Sequence, residues 1–155
     1  MAAVKPSNLA PSHWDRSGLP PWTYFSEELL EIEKEELFRK HWQLACHVSD
    51  VPEPGSYVAL DIAGERALIL KGTDGRARAF HNVCRHRGSR VVADDKGRCK
   101  SAVVCPFHGW SYNLDGTLRQ PAQAHTLPDL DPVAFGLKPT EMEIWNGFVF
   151  IRFKP

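Results

Sequence analysis

The sequence predicts a mainly β protein built from antiparallel sheets and preceded by a single N-terminal α-helix. Three observations lead to this fold class. From residue 42 onward, short runs of β-favouring residues alternate with turn residues. Two dipeptides, Asp115-Gly116 and Asn146-Gly147, are strong signals for tight hairpin turns. Residues 26–41 show the helical spacing of apolar side chains over several turns.

Residues 1–25 are predicted to form an extended arm, because they are rich in proline and carry no hydrophobic periodicity. The arm is too aromatic for a purely solvated tail. It is expected to lie either on a neighbouring subunit or on its own domain, through Trp14, Trp22, Tyr24 and Phe25.

The helix is predicted over residues 26–41. Ser26 is a favoured N-cap residue, and acidic side chains follow it in the first turn while basic side chains occupy the last. Leu30, Leu37 and Phe38 recur at helical spacing, so the helix is expected to be amphipathic. Its charged face is expected to be solvated.

The strands follow the helix, which divides the chain into an N-terminal arm and helix, residues 1–41, and a β domain, residues 42–155. Residues 120–136 contain three prolines and are predicted to form a long connection. Strands are predicted on both sides of it, at residues 42–48, 57–62, 67–71, 77–83, 110–114, 117–119, 141–145 and 148–153.

Two short segments combine cysteine with histidine at metal-ligand spacing. One carries Cys84 and His86, and the other carries Cys105 and His108. A zinc finger usually takes both cysteines from one segment and both histidines from the other, whereas each segment here supplies a mixed pair. That order suits a binuclear cluster in which the cysteines bind one iron and the histidines the other. A zinc site and two unrelated Cys-His pairs are the alternatives.

The two segments, Cys84-Arg85-His86-Arg87-Gly88 and Cys105-Pro106-Phe107-His108-Gly109-Trp110-x-Tyr112, resemble the Rieske domain of ring-hydroxylating and related oxygenase α subunits. The resemblance implies stacked antiparallel sheets with a cluster-binding subdomain whose ligand loops are residues 84–89 and 105–110. It implies a [2Fe–2S] cluster with four ligands, Cys84, His86, Cys105 and His108. Around them it places Arg87, Gly88, Pro106, Gly109, Trp110 and Tyr112.

The loops also differ from those of a second Rieske group that they resemble, the high-potential Rieske proteins. Proteins of that group carry an extra disulfide and a serine that donates a hydrogen bond to a bridging sulfide. Ser89 and Phe107 occupy the disulfide positions, and Trp110 occupies the serine position. Tyr112 remains as a donor to a cysteine sulfur. Since hydrogen bonds to sulfur raise the potential, we expect a potential at the low end of the Rieske range.

In the resembled α subunits, a larger catalytic domain with a two-histidine, one-carboxylate site for mononuclear Fe(II) follows the Rieske domain. No stretch of this sequence offers that triad, so the catalytic domain is expected to be absent. The chain is therefore expected to be the electron-transfer part of an oxidoreductase, accepting electrons from a ferredoxin or flavin reductase and passing them to a neighbouring subunit in a trimer-type homo-oligomer. A free-standing Rieske ferredoxin is the alternative, against which the N-terminal arm and helix argue. The substrate, and the choice between dioxygenation, monooxygenation and N-demethylation, stay open.

The composition limits the classes of partner that are expected. Lys+Arg and Asp+Glu number 19 each, which argues against nucleic acid or an anionic membrane as the partner. The sequence shows neither a signal-peptide pattern nor an apolar run of membrane-spanning length. A cytoplasmic protein is expected.

The remaining cysteines and histidines are expected to be structural. Cys46 lies in an apolar stretch and is predicted to be buried, whereas Cys99 lies in a polar turn and is predicted to be exposed. His81 is expected to pack in a strand. The other histidines without a partner at ligand spacing are His13, His41, His47 and His125. An arginine cluster, Arg85, Arg87 and Arg90, is expected either to aid solubility or to meet acidic groups of a partner domain.

Overall fold

A computed structural model of the protein describes residues 18–122 and 130–154. Helix α1 spans Glu27–Glu33 and continues as a π-helical turn, Lys34–Phe38. The Ser26 hydroxyl accepts a hydrogen bond from Leu29 N at 3.2 Å, so the predicted N-cap is confirmed. The predicted end at residue 41 is wrong. The N–H of Arg39 donates to Lys34 O rather than to the residue four positions back, which widens the last turn and ends the helix at Phe38.

The apolar stripe of this helix does not enter the core. Neither α1 nor the π-helical turn contains a buried residue, and Leu30 and Leu37 are 43% and 48% exposed. The helix is attached at its C-terminal end instead. There the carbonyl of Arg39 accepts hydrogen bonds from the N–H groups of Phe153 and Lys154.

The described part of the arm forms a short 3₁₀ turn, Pro21–Tyr24. Trp22, Tyr24 and Phe25 are 54%, 76% and 76% exposed, so this part of the arm is not packed on its own domain. Trp14 lies outside the described residues. No helix in the described ranges is long and apolar enough to cross a membrane.

The strands form three antiparallel sheets, with the orders β1-β10-β9, β4-β3-β2-β5 and β6-β7-β8. Their bounds are β1 Gln43–His47, β2 Ser56–Ile62, β3 Glu65–Lys71, β4 Ala77–His81, β5 Lys96–Arg98, β6 Val103–Val104, β7 Ser111–Tyr112, β8 Leu118–Gln120, β9 Glu141–Trp145 and β10 Phe148–Arg152. Every strand expected from the sequence is present; β9 has the predicted bounds, and the other seven have shifted ends. The sequence did not predict β5 and β6.

The central four-stranded sheet is buried on both faces, which is what stacks the three sheets. Along β3, Leu68 and Leu70 point into a core beneath the three-stranded sheet β6-β7-β8, and the alternate residues Ala67 and Ile69 point into a second core. Strand β10 closes the second core. The antiparallel, stacked-sheet fold class is confirmed. The segment between β4 and β5 and the segment between β6 and β7 both reach the first core, and each carries one Cys-His pair.

Both remaining cysteines are half-buried. Cys46 packs against the second core, and burial raises the pKa of its thiol to about 11. The prediction that Cys99 is exposed is wrong. Its N–H donates to Gly55 O at 2.9 Å, which places β5 against the β2 end of the central sheet, and the side chain packs against the first core. Burial accordingly raises the pKa of the Cys99 thiol.

Candidate metal centre

The first ligand loop, residues 84–89, is closed by two backbone hydrogen bonds of Cys84. The Cys84 carbonyl accepts from Gly88 N at 3.0 Å, and the Cys84 N–H donates to Ser89 O at 2.7 Å. Gly88 has a φ of +72°, in the left-handed region where a residue with a Cβ loses about 1–2 kcal/mol. The turn therefore depends on glycine at this position.

The second ligand loop, residues 105–110, repeats the same frame. The Cys105 carbonyl accepts from Gly109 N at 3.0 Å, its N–H donates to Trp110 O at 2.8 Å, and Gly109 has a φ of +74°. The two loops are thus equivalent from cysteine to glycine, although the histidine stands two residues after the cysteine in one and three in the other. Two matched turns therefore each present one thiol and one imidazole.

The four candidate ligands divide by depth. The thiols of Cys84 and Cys105 are buried, with residue exposures of 3% and 2%, and both are free. The imidazoles of His86 and His108 are half-buried, with ring centroids 4.8 Å apart and planes at 70°. Burial raises the pKa of the Cys84 thiol, and the neighbouring Cys105 adds to the rise. The sulfurs therefore face the core while the imidazoles face the surface.

The ring of His108 shows whether these four side chains suit a metal centre. Its Nδ1 is buried and has no hydrogen-bond partner among the described residues. Leaving a buried ring nitrogen without a partner is unfavourable, so a group that accepts its lone pair belongs at this position. Imidazole nitrogen and thiolate sulfur are the donor types that a histidine- and cysteine-ligated iron–sulfur cluster requires, and the residues fit it.

No three His, Cys, Asp or Glu side chains within residues 18–122 and 130–154 surround a position for a single metal ion. A binuclear cluster takes two protein ligands at each iron.

Tyr112 links the second loop to the first. Its hydroxyl lies 3.2 Å from Cys84 Sγ and accepts a hydrogen bond from Arg85 N at 2.9 Å. The side chain is fully buried, and burial, together with the Cys84 thiol, raises the pKa of the Tyr112 hydroxyl. The hydroxyl therefore stays protonated and is able to donate to the sulfur.

Trp110 makes a second link between the loops. It is 3% exposed, and its indole is stacked on the His86 imidazole with centroids 5.1 Å apart and planes within 6°. The other residues expected around the cluster, Arg87, Gly88, Pro106 and Gly109, are exposed.

Asn82, which no sequence motif singles out, is fully buried just before the first ligand loop. Its Oδ1 accepts hydrogen bonds from Val91 N at 3.0 Å and Val92 N at 3.1 Å, and its Nδ2 donates to Val92 O at 3.0 Å. These bonds join the two ends of the segment that carries Cys84 and His86. The only signal in the sequence is an asparagine directly after the buried pair Ala79-Phe80 and His81.

The arginine cluster expected from the sequence is divided by the structure. Arg90 pairs with Asp61 on β2, with Nη1 and Oδ1 2.9 Å apart, and the guanidinium lowers the pKa of that carboxyl. Arg85 and Arg87 are exposed on either side of His86. These two are therefore the cationic side chains that the loop presents to solvent.

The remaining histidines in the described ranges lie outside the centre. His81 packs its ring against Phe153 at 5.7 Å, and its Nδ1 lies 3.6 Å from Glu65 Oε2. His47 caps the 3₁₀ turn Val48–Asp50. His41 is exposed. His13 and His125 lie outside the described residues.

Comparison with known proteins gives one family and several relatives. Residues 41–133 match the family model of the Rieske [2Fe-2S] domain. The oxygenase subunit of glycine betaine monooxygenase from Pseudomonas aeruginosa is 39% identical over 133 residues, which cover 86% of this chain and 30% of that protein.

Solved structures of two oxygenases superpose on the chain. The apo form of CntA, a quaternary ammonium Rieske monooxygenase, aligns with a TM-score of 0.80 and 34% identity over 88% of this chain and 40% of that one. Naphthalene 1,2-dioxygenase with indole bound in its active site aligns with a TM-score of 0.77 and 33% identity over 84% of this chain and 30% of that one. The chain thus spans well under half the length of these relatives.

Proposed function

Because the chain belongs to the Rieske [2Fe–2S] domain family, we propose that it serves as the electron-transfer domain of a Rieske non-haem iron oxygenase. A [2Fe–2S] cluster is the cofactor of this family. The proposed ligands are two thiolates on one iron and two imidazoles on the other, supplied by Cys84, Cys105, His86 and His108.

The observation that carries this assignment is the matched pair of ligand loops. Two turns with the same backbone hydrogen bonds hold buried, neighbouring thiols, and the second turn leaves the buried Nδ1 of His108 without a partner in residues 18–122 and 130–154. A single tetrahedral ion does not require equivalent loops that each bring one sulfur and one nitrogen. A cluster with a sulfur-ligated iron and a nitrogen-ligated iron does.

When bound, such a cluster takes up and gives back one electron at a time. The protein's part is to shape where that exchange takes place. Buried Cys84 and Cys105 keep water away from the sulfur side. His86 and His108 are half-buried at the surface, so a partner reaches the centre through an imidazole edge. Tyr112 holds a protonated hydroxyl against Cys84 Sγ.

The oxygenase reaction itself belongs to the longer protein, and we propose monooxygenation of a quaternary ammonium compound. The support is the relatives: a glycine betaine monooxygenase and a quaternary ammonium Rieske monooxygenase match the chain over more than four fifths of its length. Aromatic-ring dihydroxylation has the support of the naphthalene 1,2-dioxygenase likeness at 33% identity. A ferredoxin or flavin reductase is the proposed donor, and the catalytic iron of a neighbouring subunit in a homo-oligomer is the proposed acceptor.

The alternative hypothesis, a free-standing Rieske ferredoxin, is not favoured. The relatives that match the chain are oxygenases, and their similarity extends beyond residues 41–133 of the family model to 84–88% of the chain.

The cluster assignment is tested by analysing the purified chain for iron, acid-labile sulfide and zinc. We expect two iron and two sulfide per chain, and an electron paramagnetic resonance (EPR) signal on reduction. Cys84→Ser and His108→Ala should lose the cluster, whereas Cys99→Ser, a half-buried cysteine outside both loops, should keep it. One zinc per chain with no visible absorption would return the site to the zinc alternative.

The substrate class is tested separately on the full-length subunit with its reductase. Glycine betaine, carnitine and naphthalene are supplied in turn, and NADH and oxygen consumption are compared with product formation. An oxidised or dealkylated product from glycine betaine or carnitine supports the proposal. Dihydroxylation of naphthalene alone would contradict it while leaving the cluster assignment in place.

A further inference from the structure

The indole of Trp110 and the imidazole of His86 lie face to face although they come from different ligand loops. Their centroids are 5.1 Å apart and their planes differ by 6°. That separation lies within the range in which offset aromatic rings attract each other. The other imidazole, His108, meets His86 at 70°, edge to face, at 4.8 Å. The His86 ring therefore has one flat neighbour and one neighbour at its edge.

Trp110 is more deeply buried than His86, and its backbone is bonded within the second ligand loop. Its carbonyl accepts the Cys105 N–H at 2.8 Å, the next residue begins β7, and its side chain is 3% exposed in the first core. His86 lies between two exposed arginines. Within the described ranges, no hydrogen bond from another side chain orients its ring, in contrast to histidine ligands that are usually fixed through their second nitrogen.

We propose that Trp110 is a positioning residue for His86: its indole face fixes the plane of the imidazole, so that one ring orientation is presented to the iron. This inference rests on the proposed function, because it takes His86 to be a ligand. Rotation of a histidine about its Cβ–Cγ bond is soft and broad, so a flat partner that must remain parallel removes most of that freedom. Trp110 thereby does through stacking what a hydrogen-bonding carboxylate does for other histidine ligands.

Simple core packing is the competing explanation for the burial of Trp110. The packing role and the positioning role require different properties of the side chain. Packing requires volume, which any large apolar side chain supplies. Positioning requires a flat ring parallel to the imidazole. Trp110→Phe keeps a flat ring of smaller size, whereas Trp110→Leu and Trp110→Met fill space without one.

Leu118 supplies the matched control. It is 4% exposed in the same core, so Leu118→Ala damages the packing near the centre without removing the ring that stacks on His86. The four variants and the wild-type chain are prepared with the cluster loaded. Three quantities are measured: the free energy of unfolding, the EPR line shape of the reduced cluster, and the rate of iron loss to a chelator.

If Trp110 positions His86, Trp110→Leu and Trp110→Met should broaden or multiply the EPR features and lose iron about tenfold faster, as is typical when the support of a ligand is removed. Trp110→Phe should keep the wild-type line shape. Leu118→Ala should keep it too, even with a comparable loss of unfolding free energy. Loss of iron by a folded Trp110→Leu or Trp110→Met chain, at a stability where Leu118→Ala retains it, also supports the proposal.

Unchanged line shapes together with wild-type iron retention in both non-planar variants, or equal iron loss in Leu118→Ala, would overturn the positioning role. The proposed function would survive that result, since the cluster would still be loaded. A wild-type chain that takes up no iron and sulfide would instead refute the proposed function.

Discussion

The hydroxyl of Tyr112 lies 3.2 Å from Cys84 Sγ, although the two residues are 28 positions apart in the sequence. The same oxygen accepts a hydrogen bond from Arg85 N. One side chain on β7 therefore contacts the sulfur and the backbone of the first ligand loop. Trp110, which directly precedes β7, contacts His86 of the same loop. The end of the second ligand loop and the start of β7 therefore support the first ligand loop.

Tyr112→Phe should lower the midpoint potential of the centre. The phenol donates to a sulfur, which stabilises the more negative reduced state, and phenylalanine has nothing to donate. The change also leaves the part-buried N–H of Arg85 without its acceptor, so the free energy of unfolding should fall by about 1 kcal/mol. Redox titration followed by visible absorption measures the potential. An unchanged or higher potential would show that the Tyr112 hydroxyl does not donate to Cys84.

Asn82→Ala should destabilise the chain and release the first ligand loop. The substitution strands the N–H groups of Val91 and Val92 and the carbonyl of Val92 in a buried position, at a cost on the order of 3 kcal/mol. Denaturant unfolding and iron retention are the measurements. Asn113→Ala is the control, because within the described residues its Nδ2 bonds only to Thr117, in a partly buried turn. Equal losses in the two variants would contradict a special role for Asn82.

Local features of the fold could be predicted from the sequence, and features that depend on a distant partner could not. Ser26 marks the start of the helix because an N-cap acts within one turn. The spacing of Leu30 and Leu37 shows that they share a face, but it does not show that this chain leaves the face uncovered. Strand β5 consists of Lys96–Arg98, with no apolar residue, and exists because the edge of β2 offers it a partner.

The same distinction applies within the centre. Cys84, His86, Cys105 and His108 stand out because metal ligands must be of particular types at short spacing. Asn82 belongs to no motif, since its role depends on two backbone segments that meet only in the folded chain.

His81 should make the folded state sensitive to mild acid. Burial lowers the pKa of its imidazole and Lys138 lowers it further, while the Glu65 carboxylate, 3.6 Å away, raises it without overcoming burial. The unfolded chain therefore binds a proton first as the pH falls below about 6.5. Stability attributable to neutral His81 is present above that pH and declines from there down through the lowered pKa.

The His81 prediction is measured by denaturant unfolding of wild type and His81→Gln from pH 5 to pH 8. Glutamine does not titrate in this range, so the variant should show a shallower decline on the acid side. The rest of the chain, including the metal centre, contributes equally to both. Parallel curves would mean that His81 keeps its ordinary pKa, and a steeper curve for the variant would mean that Glu65 dominates.

Arg87→Glu should slow electron entry from an acidic donor. Arg85 and Arg87 are exposed beside His86, whereas Arg90 is already held by Asp61, so the first two supply the exposed positive charge of this loop. Opposite charges accelerate encounter, and reversing one at the contact should reduce the second-order rate about tenfold at low salt. Stopped-flow reduction of the loaded centre by its ferredoxin or reductase measures this rate.

Arg76→Glu is the matched control for that experiment. Arg76 is exposed and precedes β4, while the first ligand loop follows β4, so the two positions stand at opposite ends of the strand. The reversal changes net charge by the same amount but not the charge near His86. Rates of Arg87→Glu and wild type should converge as salt is raised, because the contact is screened. Equal slowing by Arg76→Glu would assign the effect to net charge and remove Arg87 from the docking surface.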